Sequence, residues 1–266
     1  MNYRELNFQV MTDTVEQYET NSVLQEAIKN TVSKQKVIYE GTDLGHCDVQ
    51  ESRTQYVLSG KRSFEAAKAY AGKHVAVLNY ANNHSIGGAP FSAGAQEESL
   101  CRCSTLFPCL QQEWETFYKP HIERFRSGEM GAMGNDDLIY VPDVVVFKSD
   151  ESAPQTLPVD EWYHVDIITC AAPECFALDA LPDNYDEIIA RRLKLVLDAA
   201  EAEKVEVLVL GAWGCGAFKN PTYRVARAFC KLLKGYNFEI VEFAIGDKYS
   251  NKFIAFDNEM KKAGLK

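Results

Sequence analysis

Residues 75–82 read Val-Ala-Val-Leu-Asn-Tyr-Ala-Asn, an uncharged apolar run that ends in small and amide side chains. Such a run suits a strand covered on both faces, so the chain around it has to supply helices to both sides of a sheet. The next twenty residues narrow the fold further. Gly87-Gly88-Ala89 comes first, and then Gln96-Glu97-Glu98 near the start of residues 95–106, a segment with good helix formers early. Glycine lets the backbone take positive φ and approach a ligand closely. Amides in such a loop hold anions, and open α/β sheets bind ligands beyond the carboxyl ends of their strands. Acids in a first helical turn also have a plain structural explanation, since they offset the positive helix end by about 0.3–1 kcal/mol each.

A second unit of the same kind occurs late in the chain. The apolar residues 205–210 lead into Leu210-Gly211-Ala212-Trp213-Gly214-Cys215-Gly216-Ala217-Phe218. Asn220-Pro221 then offers a cap followed by proline at the first helical position, and Val225, Phe229 and Leu232 or Leu233 fall on one face of the helix. Either loop alone is explained by a tight turn. Together they aim two sets of backbone amides at a common ligand, and two phosphates bridged by one oxygen fit between them.

The remaining segments are structural. Residues 165–170 and 238–245 read as further central strands, residues 186–203 as an amphipathic helix, residues 127–135 as a loop, and residues 138–147 as a hairpin. Before residue 60 a helix is expected around residues 23–28 and a short strand at 36–39. Alternating strands and helices predict an α/β/α sandwich with a mixed sheet. With 266 residues and 46% apolar content the chain can bury a full core.

A net charge of -10 argues against direct nucleic-acid binding. No stretch is long and apolar enough for a membrane span and no secretory signal is evident, so a cytoplasmic location is expected. In that setting the eight cysteines are expected as reduced thiols. Cys101, Cys103 and Cys109 lack the paired spacing and fourth ligand of a zinc site, and neither metal nor cofactor is expected.

The pattern Gly87-Gly88-Ala89, six residues, Gln96-Glu97-Glu98, with the strand end at residues 78–83 and the loop at 210–218, resembles the poly(ADP-ribose) glycohydrolases, specifically the microbial branch of that macrodomain family. The likeness spans roughly residues 60–250, including Ser63-Phe64-Glu65-Ala66-Ala67, Tyr140-Val141-Pro142-Asp143-Val144 and Phe243-Ala244-Ile245-Gly246-Asp247. It implies a three-layer macrodomain of residues 60–266 with a partly helical accessory segment, residues 1–59, packed on it. Carried over by position, Glu98 is the catalytic acid, Glu97 holds the hydroxyls of the ribose being cleaved, and Gln96 supports that geometry. Asn82 contacts the same ribose. Gly87, Gly88 and Ala89 hold the diphosphate and the reacting ribose; Gly214, Cys215, Gly216 and Ala217 bind the diphosphate from the other side; Phe218 packs on the ribose. Adenine would lie against Ile245 and Asp247. The expected partners are ADP-ribose or ADP-ribosylated proteins, and the expected state is a monomer.

Ala89 departs from the family's third glycine. If that position needs positive φ, alanine there costs about 1 kcal/mol or more, while Pro90 pushes Ala89 toward an extended conformation. The chemistry implied is hydrolysis of a ribosyl C1–O bond through an oxocarbenium-like transition state, which needs a proton for the departing oxygen and a delivered water. Neighbouring helical residues project about 100° apart, so Glu97 and Glu98 do not form an opposed glycosidase pair, and one acid has to serve both steps. Two other readings stand beside this one. A reader module would bind ADP-ribose without cutting it, which leaves Glu98 without a purpose. A cysteine hydrolase would use Cys215 with His84, His121 or His164 as base, but its nucleophile elbow would need glycine where Trp213 stands. Tyr118, Tyr140 and Tyr249 are candidates for adenine stacking, although such aromatics usually pack in cores.

Overall fold

The computed structural model describes residues 2–47 and 49–266; Met1 and Asp48 lie outside the described residues. The helices in chain order are α1 (Tyr3–Thr20), α2 (Ser22–Val32), α3 (Ser63–Lys68), α4 (Gln96–Cys103), α5 (Leu106–Gln111), α6 (Lys119–Arg126), α7 (Tyr185–Ala202), α8 (Thr222–Leu232) and α9 (Asn251–Ala263). The strands are β1 (Lys36–Ile38), β2 (Gln55–Ser59), β3 (Val75–Ala81), β4 (Leu138–Val146), β5 (Tyr163–Ala171), β6 (Val207–Leu210) and β7 (Ile240–Ala244). Among the described residues they form one seven-stranded sheet in the order β1-β4-β5-β3-β6-β7-β2. The pairs β1/β4 and β4/β5 run antiparallel and the rest parallel.

Successive strand residues point to opposite faces, and the two faces make two cores. Leu78, Ile168 and Leu208 pack with Leu193, Val196, Phe229 and Phe256 on one side. Val77, Ile167 and Val209 pack with Phe64, Leu100, Leu106 and Leu110 on the other. The result is the three-layer α/β/α arrangement with a mixed sheet that the sequence predicts.

Two local expectations need correction. Residues 138–147 do not form a hairpin: β4 is one strand antiparallel to β5, with a register shift between Val141 and Val144. Pro142 lacks an N–H and Asp143 takes φ 58, so the ladder is interrupted without reversing. Asn220 does not cap α8, which starts at Thr222 with Pro221 at the cap position; the Asn220 side chain is used elsewhere. The sequence reading also missed α1 and β2. The latter pairs with β7 and forms the sheet edge opposite β1, so residues before 60 supply both edge strands.

One feature of the register opens the site. Strand β3 pairs with β5 from Ala76 to Ala81, but with β6 only from Val75 to Val77. Beyond Val77 the two strands part at their carboxyl ends, leaving a cleft of the kind that holds ligands in α/β sheets.

Candidate functional site

The cleft is a cavity of about 420 Å³ lined from both glycine loops, the first turn of α4 and the end of β7. Parting of β3 from β6 strands two backbone groups, which Gln96 takes over. Its side chain accepts from the Tyr80 N–H at 2.9 Å and donates to the Leu78 carbonyl at 2.8 Å and to Ser63 Oγ at 3.1 Å. Buried backbone groups need such partners, and this strut fixes the start of α4 at the edge of the opened sheet.

The two acids then receive different surroundings. Both Glu97 oxygens are occupied, one by Asn79 Nδ2 at 3.3 Å and the other by the Asn82 N–H at 2.9 Å. Burial, together with the neighbouring Glu98 carboxylate, pushes the Glu97 pKa well above the ordinary glutamate value. Glu98 accepts one bond, from the Ala89 N–H to Oε1 at 3.2 Å. Its Oε2 has no hydrogen-bond partner among the described residues, and Glu98 lines the cavity.

Gly88 makes room for this carboxyl. A Cβ at Gly88 would lie 2.4 Å from Glu98 Oε1 and 3.2 Å from Glu97 Oε2, and the residue has φ 67. Only glycine meets both demands. Gly87 also has positive φ, at 63, but Ala89 does not. The left-handed stretch ends at Gly88, so the strain expected at Ala89 does not arise.

The second loop is fixed from below. The Trp213 indole donates to the Cys170 carbonyl at 2.8 Å, and Asn220 Nδ2 donates to the carbonyls of Gly214 and Pro173 at 3.0 and 2.8 Å. A Cβ at Gly214 would come within 2.4 Å of Ala172. So held, the loop leaves the N–H groups of Gly214, Gly216, Ala217 and Phe218 without acceptors among the described residues. Unpaired amides at a cleft suit an anion.

Of the expected site residues, Asn82, Gly88, Gln96, Glu97, Glu98, Gly214, Gly216, Ala217, Phe218 and Ile245 line the one cavity. Gly87, Ala89, Cys215 and Asp247 do not. Gly87 faces Cys101 and Phe107. Asp247 is engaged in a turn, accepting from the Tyr249 N–H at 2.9 Å. The Cys215 thiol donates to the Trp213 carbonyl at 3.3 Å, and burial pushes its pKa up to about 11. No histidine lines the cavity: His84 lies against Glu174 and Phe125, His121 is buried beside Asp137, and His164 pairs with Asp143. A thiol without a base, held protonated, is a poor nucleophile. Tyr118 and Tyr140 are fully buried in the cores, which removes them from adenine stacking, while Tyr249 is exposed.

Sequence reasoning missed two groups. Arg62 Nε donates to Asp150 Oδ1 and its Nη2 to Ser99 Oγ, both at 2.7 Å, which ties the loop before α3 to α4 along the cavity wall. Lys252, in the first turn of α9, lines the cavity. Its Nζ lies 3.9 Å from where a Gly216 Cβ would stand, and no carboxylate pairs with it among the described residues. Ser63, within the family-like stretch, offered a pointer to the first group; nothing near Lys252 in sequence marks it.

The chain matches the family described as microbial-type PARG, catalytic domain, over residues 7–149. Among solved structures it is similar to poly(ADP-ribose) glycohydrolase from Thermomonospora curvata, at 28% identity and a TM-score of 0.83, covering 95% of this chain and 98% of that one. The same protein bound to the inhibitor ADP-HPD gives a TM-score of 0.80 with the same identity and coverage. Poly(ADP-ribose) glycohydrolase from Deinococcus radiodurans in complex with ADP-ribose is 31% identical with a TM-score of 0.74, covering 88% of this chain and 97% of that one. No curated protein sequence matches.

Proposed function

Since this chain belongs to the microbial-type PARG catalytic-domain family, we propose that it hydrolyses the ribosyl C1–O bond of poly(ADP-ribose), with Glu98 as general acid and then general base. The observation that carries this reading is the Glu98 carboxyl. It is buried and held through one oxygen by the Ala89 N–H, its second oxygen has no partner among the described residues, and the residue lines a cavity bordered by two glycine loops.

In this reading the diphosphate lies against the free amides of Gly214, Gly216, Ala217 and Phe218, with the Lys252 ammonium nearby. The ribose at the scissile bond lies over Gly88, with Asn82 and Glu97 at its hydroxyls. Glu97, which retains its proton to higher pH, offers a donor as well as acceptors. Phe218 packs on the ribose, and the adenosine end reaches Ile245. Glu98 gives its proton to the departing oxygen as the C1–O bond breaks. Water then attacks the oxocarbenium-like carbon and returns a proton to Glu98. The products are ADP-ribose with a free anomeric hydroxyl and the shortened chain with its hydroxyl restored. The same cavity accepts ADP-ribose linked to a protein side chain, and the two substrates are separated by assay.

Glu98→Gln keeps the size and the Ala89 contact but removes the transferable proton. Turnover of poly(ADP-ribose) is expected to fall by about 10²–10⁴-fold, the usual contribution of a positioned acid or base, with calorimetric affinity for ADP-ribose within a few-fold of the parent. Near-parental cleavage by this variant would remove Glu98 from the role. Binding without turnover by the parent on polymer and on mono-ADP-ribosylated protein alike would make the protein a reader.

A further inference from the structure

Helix α1 buries Asn7, Met11, Thr14 and Tyr18, spaced so that all four lie on one stripe. Two of them are polar, and their partners are specific. Asn7 Nδ2 donates to the carbonyls of Ser92 at 3.2 Å and Ala93 at 3.0 Å. Arg102, on α4, reaches the same stretch, its Nη1 donating to Pro90 O at 2.8 Å and, with Asn7, to Ala93 O at 2.7 Å. The Tyr3 ring covers Gly94 so closely that a Cβ there would meet it at 2.4 Å, and Phe8 packs on Phe91 with centroids 6.0 Å apart.

Residues 90–94 are therefore held by groups on two helices that bind their backbone. This stretch joins Ala89, whose N–H donates to Glu98, to the start of α4. Docking of α1 does not require Asn7: Thr14 donates to the Arg102 carbonyl at 2.6 Å, and Lys148 donates to the Val10 carbonyl at 3.0 Å. An apolar residue at position 7 would bury as well, but would remove the tie between α1 and the Ser92 and Ala93 carbonyls. Arg102 is 2% exposed and has no carboxylate partner among the described residues. A buried cation without an anion is costly to retain, and here it is spent on two loop carbonyls.

We propose that Asn7 and Arg102 are positioning residues that clamp residues 90–94 and thereby hold Gly88 and the Ala89 N–H against Glu98, so that α1 is a working part of the catalytic site. This rests on the function proposed above. The clamp also accounts for alanine and proline following Gly88: the loop's path is imposed from outside, so flexibility at positions 89 and 90 is not needed.

The test compares the full-length parent with Asn7→Ala, Arg102→Lys and a control, Thr31→Val, which removes a helix-docking bond from Thr31 to the Asp143 carbonyl away from the cavity. Two readouts are taken, amide hydrogen exchange across residues 86–95 and kcat and KM on poly(ADP-ribose), with melting temperature recorded for each. Asn7→Ala is expected to speed exchange in that segment at least about tenfold and to lower kcat about tenfold with KM within about threefold, conversions that correspond to roughly 1.4 kcal/mol per factor of ten. Arg102→Lys, which keeps the charge but not the planar fork, is expected to fall between. Thr31→Val is expected to lower the melting temperature without moving either readout. Unchanged exchange in residues 86–95 of Asn7→Ala, or a kcat loss equalled by Thr31→Val, would overturn the clamp. If the parent releases no ADP-ribose, the proposed reaction falls, while the exchange comparison still decides whether the clamp exists.

Discussion

Glu97 and Glu98 are adjacent in sequence yet meet opposite fates, because one helical step of about 100° sends Glu97 toward the β3 end and Glu98 toward Gly88. Glu97 is 3% exposed, and burial beside Glu98 raises its pKa. In the unfolded chain this acid loses its proton near 4.5; in the folded protein it keeps it to higher pH. Between those two values the native state binds more protons than the unfolded one, so stability falls as pH rises through the window and stays lowered above it. Glu97→Gln removes this burden while retaining the Asn82 contact. The variant is expected to melt at a higher temperature than the parent at pH 7, by about 2–4 °C per kcal/mol recovered, with the gap closing toward pH 4. A gap that is constant from pH 4 to pH 8 in calorimetry would refute the assignment. Stability surrendered at such a position is the usual accompaniment of a functional site.

Among the elements, the legible ones are those whose burial follows a simple period. β3, β5, β6 and α7 were readable because both-face burial gives unbroken apolar runs and one-face burial gives a helical stripe. α1 was not, because half of its buried stripe is Asn7 and Thr14, chosen to bind backbone carbonyls instead of filling a core. β2 is a half-buried edge strand, and the bulge at Pro142 and Asp143 imitates a turn in sequence while leaving β4 unbroken. The same limits apply to the site: the glycine loops and paired acids are contiguous motifs, whereas Arg62, Asp150 and Lys252 reach the cavity from elements distant in sequence. The segment at 127–137 shows how such long-range ties hold an irregular stretch. His121, on α6, donates to the Phe117 carbonyl at 2.6 Å and faces Asn135 Oδ1 at 3.0 Å and Asp137 Oδ2 at 3.3 Å. Burial opposes its charge, but the bonds to Asp137, Phe117 and Asn135 outweigh that and raise its pKa above 6.5. The stabilisation is complete below 6.5 and is lost as pH climbs through the folded value; Asp137, whose pKa is lowered from 3.8 by His121 and the Glu40 N–H against the opposing effect of burial, loses its share only as pH falls through its own. His121→Gln is expected to destabilise by about 1–3 kcal/mol at pH 6, the range for an orphaned buried polar partner, and by less at pH 9. Denaturant unfolding at the two pH values checks it, and an equal loss at both would show that His121 acts uncharged.

For the molecule as a whole, a net charge of -10 and a polyanionic substrate pose a conflict that distance resolves. The global field acts over the Debye length, about 30 Å at 0.01 M salt and about 8 Å at 0.15 M, so a chain of ADP-ribose units is repelled on approach in dilute buffer and much less so at physiological salt. In the proposed binding mode the balance reverses at contact, since the ligand would meet four unpaired amides of the second glycine loop and the Lys252 ammonium in the cavity. Two salt dependences with opposite origins are expected. The association rate for poly(ADP-ribose), measured by stopped flow, is expected to rise several-fold from 0.01 to 0.15 M salt, contrary to the fall seen when basic proteins meet nucleic acid. Lys252→Met is expected to weaken ADP-ribose binding by about 1.4–5-fold in dilute buffer, the scale of one partly exposed ion pair, and by less at about 0.15 M salt, where that attraction is screened. A rate that falls with salt would mean that the field at the mouth is positive despite the overall charge. An unchanged affinity in Lys252→Met would leave the backbone amides as the whole of the anion site.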